Sequence, residues 1–199
     1  MKLAASTLSA ALAVTVTTSP IGLDITKGLV LQSRATGTTA NDYLNGGCKD
    51  VILFFARGTD QPGNMGVDYD AALLANILPG GCNPVEARDF ATLLSGAAQK
   101  CPSSKLVVSG YSQGAALVHA AVEQLDSSAR ARIFAAVTYG DTQKKQDGGK
   151  IPNFDASKTL ILCNDGDLVC EGVLIITSAH LDYTSSVPTG VSFFVSKLG

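Results

Sequence analysis

Histidine is scarce in this sequence: there are two in 199 residues, so any chemistry that needs an imidazole has little choice. Charge is scarce too. Charged residues make up 16% and the formal net charge is −2, which excludes the dense basic face that phosphate binding needs. The one basic cluster, "KKQDGGK" at 144–150, is interleaved with polar residues and glycines and reads as a solvated loop. No C-x-x-C pair or nearby histidine offers the spacing of a zinc site, so no metal is expected. There is no N-x-S/T sequon, and N-glycosylation is not expected. Internal repeats are absent as well.

What is present suits a secreted globular domain. Hydrophobic residues make up 46%, and the length allows one domain with a sizeable core but not two comfortable ones. Lys2 followed by "LAASTLSAALAVTV" has the form of a signal peptide, assigned to residues 1–19, and is short for a membrane span. Cleavage after Ala11-Leu12-Ala13 or near "TTSP" fits equally well. No later stretch could anchor the chain in a membrane. Residues 20–35 read as a propeptide or mobile segment, and 36–199 as the folded domain.

Five cysteines fit an oxidising compartment. Cys163 and Cys170 flank six residues and are expected to pair; Cys48 with Cys101 would form the longer closure, leaving Cys82 over. Chain-entropy arguments give about 2.5 and about 4 kcal/mol for the two bridges.

Continuous apolar runs at 51–56 ("VILFFA"), 105–110, 133–140 and 159–163 read as buried strands. Asn83-Pro84-x-Glu86 supplies a cap, a first-turn proline and a capping-box acid for a helix reaching about Lys100, with Phe90, Leu93, Leu94, Ala97 and Ala98 on one face. A second helix follows Ser112, with Val118, Val122 and Leu125 on its stripe. Shorter helices are expected near 40–44, capped by Thr39, and near 191–198. Strands alternating with helices imply a mainly parallel sheet covered on both faces.

Gly110-Tyr111-Ser112-Gln113-Gly114 satisfies G-x-S-x-G between a strand and a helix. A strained turn that lifts a serine oxygen clear needs small neighbours, and the following helix N-terminus can face a developing oxyanion. The bland alternative is a packing turn. His119 lies seven residues into that helix, about 10 Å along its axis, and cannot serve Ser112. It reads as a partly exposed helix residue. His180, in a loop after an apolar run, is the remaining base. Between them in chain order, "CNDGDLVC" offers Asp165 and Asp167 just past the last strand, where catalytic loops of parallel sheets cluster.

These residues resemble the fungal cutinase family, secreted serine esterases of the α/β-hydrolase class. The matching blocks are "VILFFARGT", "CPSSKLVVSGYSQGAALVHA", "IPNF", "LILCNDGDLVCEG" and "AHLDY", within residues 48–183. The resemblance implies a three-layer, mainly parallel α/β fold, with Ser112 as nucleophile, Asp167 rather than Asp165 as orienter and His180 as general acid/base. It implies an oxyanion hole from the backbone N–H groups of Thr59 and Gln113, with Asn76 bracing Thr59. Leu73, Ile176 and Leu181 would line the acyl crevice, and no cofactor would be needed. The implied substrate is cutin or another polymeric or lipid-like ester, handled by a monomer. An acetylxylan-type esterase on the same fold and an impaired surface-binding protein are the rival readings.

One departure stands out. Blocks resembling "GNMG" and "GVDY", separated in the family by a helix and an edge strand, are fused here as "GNMGVDYD" at 63–70. The sheet is therefore expected to be one edge strand and one helix short, with Val51–Ala56 as its new edge and stability lowered.

Overall fold

The computed structural model describes residues 42–58, 61 and 80–199, together with the backbone of residues 4–6. Thr59, Leu73, Asn76 and the fused block at 63–70 lie outside the described residues.

Four strands are parallel and pair in sequence order: β2 (Val51–Ala56), β3 (Lys105–Tyr111), β4 (Ile133–Tyr139) and β5 (Thr159–Leu162). Each is one of the apolar runs of the sequence. β3 and β4 are buried along nearly their whole length, which explains why their hydrophobicity is continuous and not alternating. On the outer side of β2 lies a short antiparallel strand, β1 (Ala4–Ser6), with Ala4 opposite Phe55 and Ser6 opposite Leu53. In the uncleaved chain, then, Val51–Ala56 does not end the sheet as expected but is flanked by residues 4–6. An open edge of backbone N–H and C=O groups is a template for any extended segment, and residues 4–6 supply one.

Helices cover both faces. On one side α2 (Pro84–Lys100) packs over α3 (Gln113–Gln124), and α3 sits directly on β2, β3 and β4. The α2 start follows its sequence signal, since the Asn83 side chain accepts a hydrogen bond from the Val85 N–H at 2.9 Å. Phe90, Leu94, Ala97 and Ala98 are buried beneath it. The α3 helix is buried almost all round, including Leu117, Val118, Ala121 and Val122, as a helix trapped between sheet and helix must be. Behind the sheet, α6 (Val187–Leu198) packs on β4 and β5, where Phe193 and Phe194, like Leu160 and Leu162, pack against the cluster of Val137, Tyr139 and Tyr183. Gly190 allows this approach, because a Cβ there would lie 3.0 Å from the Tyr139 ring.

Three short α-helices and three 3-10 turns (Ala156–Lys158, Leu168–Glu171 and Thr184–Ser186) complete the described elements. The α-helices are α1 (Asp42–Gly46), α4 (Ser127–Ala131), capped by Asp126, and α5 (Ser178–Leu181). Both expected disulfides are formed: Cys48–Cys101 ties the residues ahead of β2 to the end of α2, and Cys163–Cys170 closes the loop after β5. Cys82 is buried and free. Burial raises its thiol pKa to about 11, with Glu86 adding to the effect, so it is an inert apolar residue here.

Candidate active site

Ser112 follows the last residue of β3 and precedes the first turn of α3 with φ 56° and ψ −122°, at a positive φ that non-glycine residues avoid. A serine at this position would ordinarily cap the helix, yet its side chain makes no capping bond. The twisted backbone aims Oγ away from the helix, at 2.9 Å from Nε2 of His180. The Ser112 N–H is fixed to the Tyr139 carbonyl at 2.9 Å, tying the turn to the neighbouring strand.

Both glycines of the motif are required by contact. A Cβ on Gly110 would come within 2.6 Å of the Gly114 carbonyl carbon, where strand and helix backbones cross. One on Gly114 would overlap the Ala56 carbonyl and stand 2.6 Å from the Arg57 oxygen. The turn is thus compressed from both sides, and only hydrogen atoms fit.

Asp167 and His180 arrive from the loops beyond β5. Asp167 is buried, whereas Asp165 in the same loop is exposed. The disulfide Cys163–Cys170 spans this loop, and Asp167 caps the 3-10 turn at Leu168–Glu171 by accepting the Val169 N–H at Oδ1, 3.0 Å. Its Oδ2 accepts Nδ1 of His180 at 2.9 Å and the Tyr183 hydroxyl at 2.6 Å. Burial would raise the carboxyl pKa, but these donors and the charge of the imidazole outweigh it and hold it below the usual value. An ionised Asp167 accepts a hydrogen bond from Nδ1–H, so the lone pair of His180 at Nε2 faces Ser112.

His180 is not in an open loop: it belongs to α5, a single turn too short to show a hydrophobic period. Three residues not expected from the sequence hold it: Tyr111, Asn164 and Gly140. The Tyr111 ring stacks on the imidazole with centroids 5.4 Å apart, and its hydroxyl donates to the His180 carbonyl at 2.6 Å. The Asn164 amide donates to the carbonyls of Ala179 and Asp182, both at 2.8 Å, and so brackets the histidine in the chain. Gly140, with φ +53°, lies flat against the ring; a Cβ there would be 2.9 Å from Cε1. Tyr111 and Asn164 stand inside the quoted motifs, and their aromatic and amide character was the available signal.

His119 requires a correction. It is buried, not partly exposed, and both ring nitrogens contact carboxylates of the loop after β4. The helix that carries it is buried over most of its surface, and its partners lie 22 and 28 residues downstream, beyond the reach of local pattern reading.

Of the remaining predicted residues, Gln113 is buried as the first residue of α3, at the helix end where backbone N–H groups have no intrahelical acceptor. Ile176 and Leu181 are 56% and 69% exposed, in line with the neighbouring apolar residues Val173, Leu174 and Ile175. Leu181 directly follows His180 in the chain, and Val173–Ile176 lie a few residues ahead of it. Among the described residues, no helix is long and apolar enough to cross a membrane.

Comparison with known proteins identifies the family. The sequence profile of the family described as Cutinase matches residues 64–198. "Cutinase CUT2" of Pyricularia oryzae is 52% identical over 194 aligned positions, covering 85% of this chain and 91% of the relative. "Probable cutinase 1" of Aspergillus niger is 33% identical over 217 positions, covering 96% and 82%. That alignment is longer than the 199 residues of this chain, so the relative carries residues that this chain lacks. Among solved structures, the Trichoderma reesei cutinase in complex with a C11Y4 phosphonate inhibitor superposes with TM-score 0.65 at 34% identity, covering 82% of this chain and 81% of the other. With the profile spanning most of the chain and relatives this similar, the chain belongs to the cutinase family of carboxylic ester hydrolases.

Proposed function

We propose that this enzyme hydrolyses esters through an acyl-enzyme on Ser112, with His180 as general base and then acid and Asp167 as its orienter. The observation that carries the reading is the continuous path Asp167–His180–Ser112, with both hydrogen bonds at 2.9 Å. Ser112 Oγ attacks the ester carbonyl carbon as Nε2 takes its proton, and the buried Asp167 carboxylate stabilises the imidazolium that forms. The proton passes to the departing alkoxide, which leaves as the alcohol. Water then attacks the acyl carbonyl with His180 again as base, freeing the acid and restoring Ser112. Backbone N–H groups of Gln113 and Thr59 would hold the oxyanion, each donor contributing about 3 kcal/mol to the transition state.

The substrate we infer is cutin polyester, together with soluble esters of short-to-medium acyl chains. Support comes from the exposed apolar side chains of Ile176 and Leu181, to which Leu73 would add, and from the names of the relatives. An acetylxylan esterase is less favoured, because exposed aliphatic side chains suit an acyl chain or polymer surface better than a sugar. We also propose that the enzyme is secreted as a monomer after removal of residues 1–19 and 20–35. The mature enzyme then lacks β1, and β2 becomes the sheet edge.

The test compares wild type with Ser112→Ala on p-nitrophenyl butyrate and p-nitrophenyl acetate. Loss of nearly all activity in the variant, with butyrate preferred by wild type, is the expected result. Equal rates for the two proteins would overturn the nucleophile assignment, and a strong acetate preference would overturn the substrate class.

A further inference from the structure

The ring of His119 sits between two carboxylates. Nδ1 is 2.6 Å from Asp147 Oδ2, and Nε2 is 3.0 Å from Asp141 Oδ2. A neutral imidazole has one donor nitrogen and one lone pair. Here each nitrogen faces a carboxylate oxygen, so a neutral ring would set its lone pair against negative charge. Only the imidazolium donates in both directions.

Asp141 is itself fully committed as an acceptor. Its Oδ2 also takes the Thr138 hydroxyl at 2.6 Å, and its Oδ1 takes the Gln143 N–H at 2.8 Å. The residues on either side of it touch the catalytic groups. Gly140 lies against the His180 ring, and the Thr142 hydroxyl donates to the Ser112 carbonyl at 3.4 Å. Further along, Lys144 of the same loop pairs with Glu171 at 3.6 Å, beside the Cys163–Cys170 bridge.

We propose that His119 is a positioning residue, a buried imidazolium that locks the nucleophile helix to the loop after β4 and thereby holds the backbone walls behind Ser112 and His180. The activity consequences rest on the assignment of Ser112 and His180 made above; the protonation state does not. The ionised groups acting on the ring are Asp141 and Asp147, both from that loop, while Glu123 on its own helix is exposed. Burial alone would lower the ring's pKa, but the hydrogen bonds and charges of the two aspartates raise it to about 9. Because the folded value lies above the unfolded one, the stabilisation is complete below about pH 6.5 and is lost as pH rises through about 9.

Two measurements test this. In the first, long-range proton–nitrogen NMR spectra of uniformly labelled protein are followed from pH 5 to pH 10. The chain has two histidines, so His119→Gln assigns both by subtraction, and Ser112→Ala identifies the histidine that senses the nucleophile. His119 should keep both nitrogens protonated through pH 8; loss of either proton below pH 7.5 would overturn the proposal. This arm stands whether or not Ser112 is the nucleophile. In the second, Asp147→Asn removes one carboxylate at a side chain that is 25% exposed, where the amide is accommodated without a buried void. The expected result is a fall in kcat of about tenfold or more with KM within about twofold, as for a loosened support of a reacting group, and an alkaline activity limb moved to lower pH. An unchanged kcat with an unchanged alkaline limb would overturn it. Should His119→Gln fail to fold, the wild-type titration and Asp147→Asn still decide the question.

Discussion

Replacing Tyr183 with phenylalanine removes one oxygen atom from the site and leaves the ring in place. That oxygen accepts the Asn164 N–H at 2.9 Å and donates to Asp167 Oδ2 at 2.6 Å. Asp167 is 2% exposed, so water cannot replace the lost donor, and a hydrogen bond to a buried charge contributes about 1.5–3 kcal/mol. The Asn164 N–H is only partly buried and adds less, giving about 2–4 kcal/mol in total and a Tm lower by about 5–15 °C. Tyr111→Phe is the natural control, because its hydroxyl bonds a neutral carbonyl and should cost only about 1 kcal/mol. Dependence on pH separates the two. The depressed folded pKa of Asp167 means that its contribution is present above about pH 3.9 and disappears as pH falls through the folded value. The Tyr183→Phe penalty should therefore be full at pH 7 and shrink in strong acid, whereas the Tyr111→Phe penalty should stay level. Denaturant unfolding at pH 7, 5 and 3 reads this directly, and kcat should fall about tenfold as the orienter gains freedom. A Tyr183→Phe protein within 0.5 kcal/mol of wild type at pH 7, or one whose penalty ignores pH, would refute the electrostatic reasoning.

Two further outcomes follow from contacts at the turn and from the exposed apolar side chains. Gly114→Ala drives a Cβ into the carbonyls that end β2 and should cost more than about 3 kcal/mol, read as loss of soluble, active protein; a well-folded variant of wild-type activity would contradict the crossing geometry. Ile176→Ser with Leu181→Ser should leave stability within about 0.5 kcal/mol because both side chains are mostly exposed. The double variant should lose binding to a hydrophobic polyester film while hydrolysis of p-nitrophenyl acetate persists, and equal film binding would remove both residues from substrate recognition.

The strands and the two long helices between them were legible because their signals are local. A run such as "VILFFA" or a cap such as Asn83-Pro84 states its own conformation. The order Ser112, Asp167, His180 was legible for a related reason, since a nucleophile turn and a stapled acidic loop each carry a short pattern. What escaped were relations between distant residues. The Asn164 bracket, the Tyr183 donor and the two partners of His119 depend on which loops meet at one end of the sheet. The α4 and α5 turns escaped for lack of length, because four or five residues cannot display a 3.6-residue period. As for β1, its Ala-Ala-Ser composition has little strand propensity, and its partner edge alone makes it a strand.

The parallel strands lie side by side in the order in which they are synthesised. Each new strand can therefore join the free side of those already assembled, and none must be threaded between earlier neighbours. A ribosome-bound chain could complete β2, β3, α3 and β4, whose Tyr139 carbonyl holds the Ser112 N–H, before His180 is synthesised. During that interval Ser112 lacks the hydrogen-bond partner that His180 later supplies. The Ser112–His180 contact is therefore among the last of the described contacts to form, once α5 has left the ribosome.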